Sequence, residues 1–302
     1  MASEANATGP RKERVGEGFY SKQFVEKVVT NCSENYYYHY TRKQLEHEYV
    51  RLVHYEKTFQ TAPWAAAVWL GAIVTAAILP NKLHKLYVVL GAGAFHGLLY
   101  MLRSFQFSKV HPDLFWEAHK TYRVYPEFQK LLLNKPNLEK DKPKYPELIK
   151  GGYKRVLICQ QNIMVDFLVR NGFHEECNTL VVSESGYPAA AQEKLEHRIT
   201  TRKTRLPIWL LHNADEKGEA MLDRIRNRGL FADYSDLIRS MGMCPEDMEL
   251  AHFPKKWRID ESVQALPPHV LYCGLRQAIT SDRSIYDLRS DVLIDQLQKE
   301  NK

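Results

Sequence analysis

The chain has 302 residues, 44% of them hydrophobic and 26% charged, with a formal net charge of +6 and a pI near 8.9. That composition is ordinary for a folded protein; it excludes a coreless chain and leaves room for one large domain or two modest ones. The mild basicity suits an anionic partner, nucleic acid or an acidic membrane surface, without choosing between the two. Five scattered cysteines (Cys32, Cys159, Cys177, Cys244 and Cys273) show neither a CxxC pair nor a zinc-site spacing. An odd, unclustered set fits a reducing compartment, with thiols that pack as small apolar groups.

Residues 1–18 are polar and rich in small residues, and read as a disordered tail. No apolar core of a secretory signal is visible there. Residues 19–62 follow a helical period through FYSKQFVEKVV and, after the aromatic run YYYHY, through TRKQLEHEYVRLVHYEKTF, with Thr41 as the N-cap. Two apolar runs come next, about 64–80 (WAAAVWLGAIVTAAILP) and 86–102 (LYVVLGAGAFHGLLYML), joined by a short turn. Each is about 17 residues long, against roughly 20 for a spanning helix. Together they predict a transmembrane helical hairpin, with Gly71, Gly93 and Gly97 allowing close helix approach and self-association in the bilayer. Trp64, Trp69, Tyr87 and Tyr100 lie near the ends, where amphipathic rings prefer the interface. Lys57, Lys82, Lys85 and Arg103 flank both sides, so local charge does not orient the hairpin; the bulky polar remainder places both termini in the cytoplasm. His96 is an ionisable group at membrane depth, read as facing its partner helix.

Residues 104–134 resume an amphipathic helical pattern, and 135–150 carry prolines and alternating charges, a linker. Beyond it, residues 151–302 alternate strand and helix: KRVLICQQ then NIMVDFLVRNGF, NTLVVSES then GYPAAAQEKLEHRI, LPIWLLHNAD then EKGEAMLDRIRNRG. Three β–α units predict an α/β domain with a parallel sheet flanked by helices, preceded by the all-α region with its hairpin. YSDLIRSMG reads as helix, VLYCGLRQAI as strand or helix, and the last residues as a polar helix.

In an open parallel sheet, ligands gather outside the carboxyl ends of the strands. Three polar loops fall there: Gln160-Gln161-Asn162, Ser183-Glu184-Ser185-Gly186 and His212-Asn213-Ala214-Asp215. Acidic residues in such a cluster favour a hard divalent cation such as Mg²⁺. The series CQQN, SESGYP and LLHNADEKGE resembles the Toprim domain of the topoisomerase VI A subunit and the related meiotic double-strand-break protein, over roughly residues 153–231. In that family the first strand ends in Glu-Lys, the second in a TGKGYP-like turn and the third in DGDPxG. The resemblance implies a general acid/base at Gln160 and metal-binding acids at Asn213 and Asp215. Two of these three are amides here, and only Asp215 keeps its carboxylate, with Gly218 preserving the turn. Glu184, Glu216 or Glu219 would have to rebuild a metal site around it. The family's nucleophilic tyrosine belongs to an upstream winged-helix domain; Tyr36, Tyr37, Tyr38 and Tyr40 lie upstream without that pattern and read as core or interface aromatics.

Basic residues crowd at Arg198, Arg202, Lys203 and Arg205, and at Arg224, Arg226 and Arg228, types suited to phosphate backbones but also to a solvated face. His212 reads as an acid/base group, a metal ligand or a packed histidine, and Cys159 as a buried thiol. The leading expectation is a membrane-anchored, Toprim-like protein that has lost strand cleavage and binds nucleic acid, another anionic ligand or a protein partner. Two others compete with it: a Mg²⁺-dependent nuclease or phosphoryl-transfer enzyme using Asp215, Glu216 and Glu184, and a structural membrane scaffold.

Overall fold

A computed structural model describes residues 18–78, 87–88, 90–95, 97, 112–122, 126–139, 152–202, 205–241 and 263–281. The chain divides into two compact units, one of residues 1–28 with 48–124, the other of residues 29–47 with 125–302. The first unit is helical. It draws on α1 (Lys22–Cys32), α2 (Arg42–Ile78) and α3 (Pro112–Tyr122). Its core is aromatic: Tyr49 stacks on Phe115 with ring centroids 4.4 Å apart, and Phe24 meets Tyr49 edge-on at 6.1 Å. His119 is buried against Trp116, and burial lowers its pKa.

The 37-residue α2 runs through the expected start of the first span. The charged segment and the first apolar run form one continuous helix, about 55 Å long at the standard rise. Among the described residues no helix is long and apolar enough to cross a membrane. The expected spans at 64–80 and 86–102 are thus not found as such. The first run is the carboxyl end of a helix whose other half is charged, and the second is described, as helix, only at 87–88, 90–95 and 97. His96 lies outside the described residues. The apolar end of α2 does not pack into a protein core: Leu70 is 68% exposed, Ile73 65%, Val74 52% and Ile78 77%. Among the described residues of this stretch only Ala72 is buried, and in the second run Ala92 is. Among the described residues nothing lies within 4 Å of a β-carbon placed at Gly71, Gly93 or Gly97.

The second unit holds the sheet. Its strands β3 (Arg155–Cys159), β4 (Thr179–Ser183), β5 (Ile208–Leu211) and β6 (Ile238–Ser240) run parallel in the order β4-β3-β5-β6. β3, β4 and β5 are almost wholly buried, which is why they read as unbroken apolar runs instead of alternating ones. The connecting helices are α5 (Asn162–Arg170), α6 (Phe173–Glu176), α7 (Ala189–Arg202), α8 (Glu216–Glu219) and α9 (Met221–Arg226), with α10 (Pro268–Ser281) at the end. The expected single third helix is broken at Ala220, although Arg224 N–H still donates to Ala220 O at 3.1 Å. YSDLIRSMG is helical only in its first four residues, which end a 3-10 helix (Gly229–Leu237); the chain then enters β6, whose backbone takes the free edge of β5. VLYCGLRQAI resolves as helix, within α10. The expected linker lies outside the described residues from 140 onward.

A second, smaller sheet pairs β1 (Tyr40–Thr41) with β2 (Leu132–Leu133), which follows α4 (Pro126–Leu131), in parallel. Thr41 N-caps α2 as expected, and reciprocally: its Oγ1 accepts from Gln44 N–H at 3.2 Å, and its own N–H donates to Gln44 Oε1 at 2.9 Å. Both residues are buried. Thr41→Ala is expected to lower stability by about 1 kcal/mol in urea unfolding followed by circular dichroism. Gln44→Ala should give a loss of the same order, and the double variant less than the sum of the two.

Candidate functional site

β3 is paired with β4 on one side and β5 on the other, so the loops after β3 and β5 diverge between them. This switch point is the place where open α/β sheets bind ligands. The ladder carries into the loops: Gln160 N–H donates to Leu211 O and Glu184 N–H to Cys159 O, each at 2.8 Å. All three polar loops expected at the strand ends are therefore brought together.

Their centre is the half-buried carboxylate of Asp215. It caps α8, accepting Gly218 N–H on Oδ1 at 2.6 Å. Gln160 Nε2 donates to the same oxygen at 3.2 Å, and Asn213 Nδ2 reaches Oδ2 at 3.4 Å. The amide orientations are fixed from their other ends: Gln160 Oε1 accepts Asn213 N–H at 2.7 Å, and Asn213 Oδ1 accepts Val263 N–H at 3.1 Å. Desolvation pushes the Asp215 pKa up, but the donors Gln160, Gly218 and Asn213, with the charge of Lys217, outweigh it and hold the group below the usual carboxylate range. The group is thus an anion at neutral pH, not a proton exchanger.

Gly218 makes the cap possible. A β-carbon there would fall 2.1 Å from Asn213 O and 3.0 Å from His212 Nδ1. His212 is buried with both ring nitrogens engaged: Nδ1–H donates to Asn213 O at 2.8 Å, and Nε2 shares a hydrogen bond of 2.7 Å with the Ser240 hydroxyl. This is a packed histidine bridging β5 and β6, and Ser240 was concealed in a segment read as helix. In the second loop Gly186, at φ +84°, permits the turn that returns Tyr187 O to Ser183 N–H at 2.7 Å. Tyr187 hydroxyl donates to the fully buried Asp166 at 2.6 Å, and Asn137 N–H donates to the other Asp166 oxygen at 2.8 Å. Asp166 supports the Gly-Tyr-Pro turn from beneath, a role carried by no local signal in the helix NIMVDFLVR.

The donor set does not fit a divalent cation. Gln160 and Asn213 turn N–H groups, not lone pairs, toward Asp215. Glu184 is bound by Arg224 through two contacts of 2.7 and 3.0 Å, and Glu216 and Glu219 are exposed. Among the described residues no group of three His, Cys, Asp or Glu side chains is placed to hold a metal. Asp215, Glu216 and Glu184 thus do not converge as a metal site.

The basic candidates disperse likewise. Arg198 donates to Tyr153 O at 2.8 Å and lies over the Tyr153 ring, Arg205 pairs with Asp236, and Arg224 and Arg228 engage Glu184. Arg226 is exposed; Lys203 and the Arg202 side chain lie outside what is described. Tyr38 and Tyr40 are buried, with burial pushing both phenols up, while Tyr36 and Tyr37 are exposed. Cys159 is a buried thiol, pushed up by desolvation.

Three outcomes are expected. Gly218→Ala lowers stability by about 3 kcal/mol, read in urea unfolding, because its β-carbon meets backbone and not a flexible side chain. Asp215→Asn is less stable than the unaltered protein at pH 7. Since the folded-state pKa is depressed, that difference is present above the unfolded value of about 3.9 and disappears as pH falls through the folded one. Gln160→Glu combined with Asn213→Asp sets three carboxylates together: the double variant loses thermal stability in chelator and regains it with Mn²⁺, whereas the unaltered protein responds to neither.

No family model matches the chain, and neither a curated protein nor a solved structure matches it.

Proposed function

We propose that this chain is a membrane-anchored binding protein whose sheet unit is a degenerate, non-cleaving relative of the Toprim domain. The observation that carries the anchoring is the exposure of Trp69, Leu70, Ile73, Val74 and Ile78, which at 3.6 residues per turn spread over about half of the helix circumference. An apolar face of that width, with Leu90 and Phe95 exposed in the second run as well, suits a surrounding apolar medium. The glycines at 71, 93 and 97 are compatible with self-association there.

Support for the binding role comes from the strand ends. Acid/base chemistry near neutral pH needs a group that titrates there. The carboxylates at this site are committed instead to Asp215's cap and to the Glu184–Arg224 pair. Four of the arginines that suit phosphate, Arg198, Arg205, Arg224 and Arg228, are engaged within the protein, which favours a protein partner over nucleic acid.

Flotation of the full-length protein with phosphatidylcholine–phosphatidylserine vesicles tests the anchor. The unaltered protein is expected to float with the vesicles and to stay with them in high salt and carbonate. Leu70→Asp with Ile73→Asp should shift most of it to the soluble fraction with the circular dichroism of the sheet unit unchanged. Recovery of the unaltered protein in the soluble fraction would sink the reading.

A further inference from the structure

The switch-point crevice has an occupant from its own chain. Residues Val263–Ala265 form a 3-10 turn, and Val263 and Gln264 are 2% and 4% exposed although they follow no strand of the sheet. The turn is held by polar contacts to the loops that diverge there. Val263 N–H donates to Asn213 Oδ1 at 3.1 Å, and Gln264 Nε2 donates to Gln161 Oε1. Leu266 O accepts from Gln44 Nε2 at 3.2 Å. Gln161 is the N-cap residue of α5, yet its side chain makes no capping bond to that helix; it is spent on Gln264.

The chemistry of the crevice is that of an acceptor surface. The amide oxygens of Gln161 and Asn213 face outward, and the N–H groups of Gln160 and Asn213 are turned inward to Asp215. Such a surface recognises a peptide that presents a backbone N–H and a side-chain amide in succession, which is what Val263 and Gln264 present. The side chain of Val263 joins the sheet's apolar core, and Leu266 packs against it. The contact thus has the form of peptide recognition: an apolar anchor flanked by directed hydrogen bonds.

We propose that the switch-point crevice is a peptide-binding site filled in cis, and that the turn at 263–266 is an intramolecular stopper that must leave before a partner peptide of the same chemistry enters. The inference holds whatever medium surrounds the apolar helices. Closure of this kind makes binding conditional: a partner competes with a segment whose effective concentration is set by its tether.

The test uses the full-length protein. Val263→Pro removes the N–H given to Asn213 while keeping a residue that a first helical turn accepts. Hydrogen exchange in this variant is expected to speed up about tenfold at residues 160–163 and 212–215, with strands 156–159, 180–183 and 208–211 unchanged. A fluorescent acetylated peptide of residues 263–268 then binds the variant and not the unaltered protein, read by anisotropy. Gln264→Ala, a milder change, should move both readouts the same way and keeps the test open if Val263→Pro does not fold. Exchange that rises equally in all three strands would show the turn to be ordinary core. A peptide that binds neither protein, or both alike, overturns the proposal.

Discussion

A carboxylate half removed from water must be compensated, and the strand-end loops are arranged around that demand at Asp215. A cation is one solution; here the compensation is covalent to the chain, in two carboxamides and a backbone N–H. The amide is a bifunctional solution in a way a carboxylate is not. Each passes its N–H to Asp215 and uses its oxygen to gather another segment, Asn213 N–H for Gln160 and Val263 N–H for Asn213. Exchange of either for an acid would set like charges a few ångströms apart and would remove the donor. Charge compensation and loop positioning are therefore one network, and the closure of the crevice by residues 263–266 hangs from its outer end.

The same economy explains why several of the surrounding charges pair within the protein. Glu184 stands in the second loop, and Arg224 and Arg228 turn to it. The bidentate Arg224 contact fixes the second loop against α9, and Arg224 also reaches α8 by donating to Lys217 O at 2.8 Å. What sequence composition registers as a basic stretch is, in space, a set of clamps.

The legible parts of the fold were those whose cause is local. RVLIC, TLVVS and IWLL stand out because a parallel strand covered on both faces has no polar alternation to confuse it. Thr41 and Gln44 were legible as a cap because both partners lie within one turn. β6 was not, since an edge strand with one buried residue, Ile238, carries no apolar run and owes its form to the backbone of β5. The site divides in the same way. Gln160, Asn213 and Asp215 were found because strand ends are predictable places. Asp166, Ser240, Val263 and Gln264 act through partners 21 to 50 or more residues distant, and nothing in their own neighbourhoods announces it. The continuity of α2 was not legible for the opposite reason: a change of composition at residue 63 looks like a boundary, but a helix backbone can run through it.

The small β1–β2 ribbon gives the long helical insertion an uncommon mechanical attachment. Residues 42–131 leave by the carboxyl end of one strand and return to the amino end of the other, and the two strands are parallel, with Tyr40 opposite Leu132 and Thr41 opposite Leu133. Tension pulling the insertion's two ends therefore loads the ribbon in shear, along the strands, so that its cross-strand bonds bear the load together instead of unzipping one by one. A clasp two pairs long is in this way sturdier against drag on the helices than its size suggests.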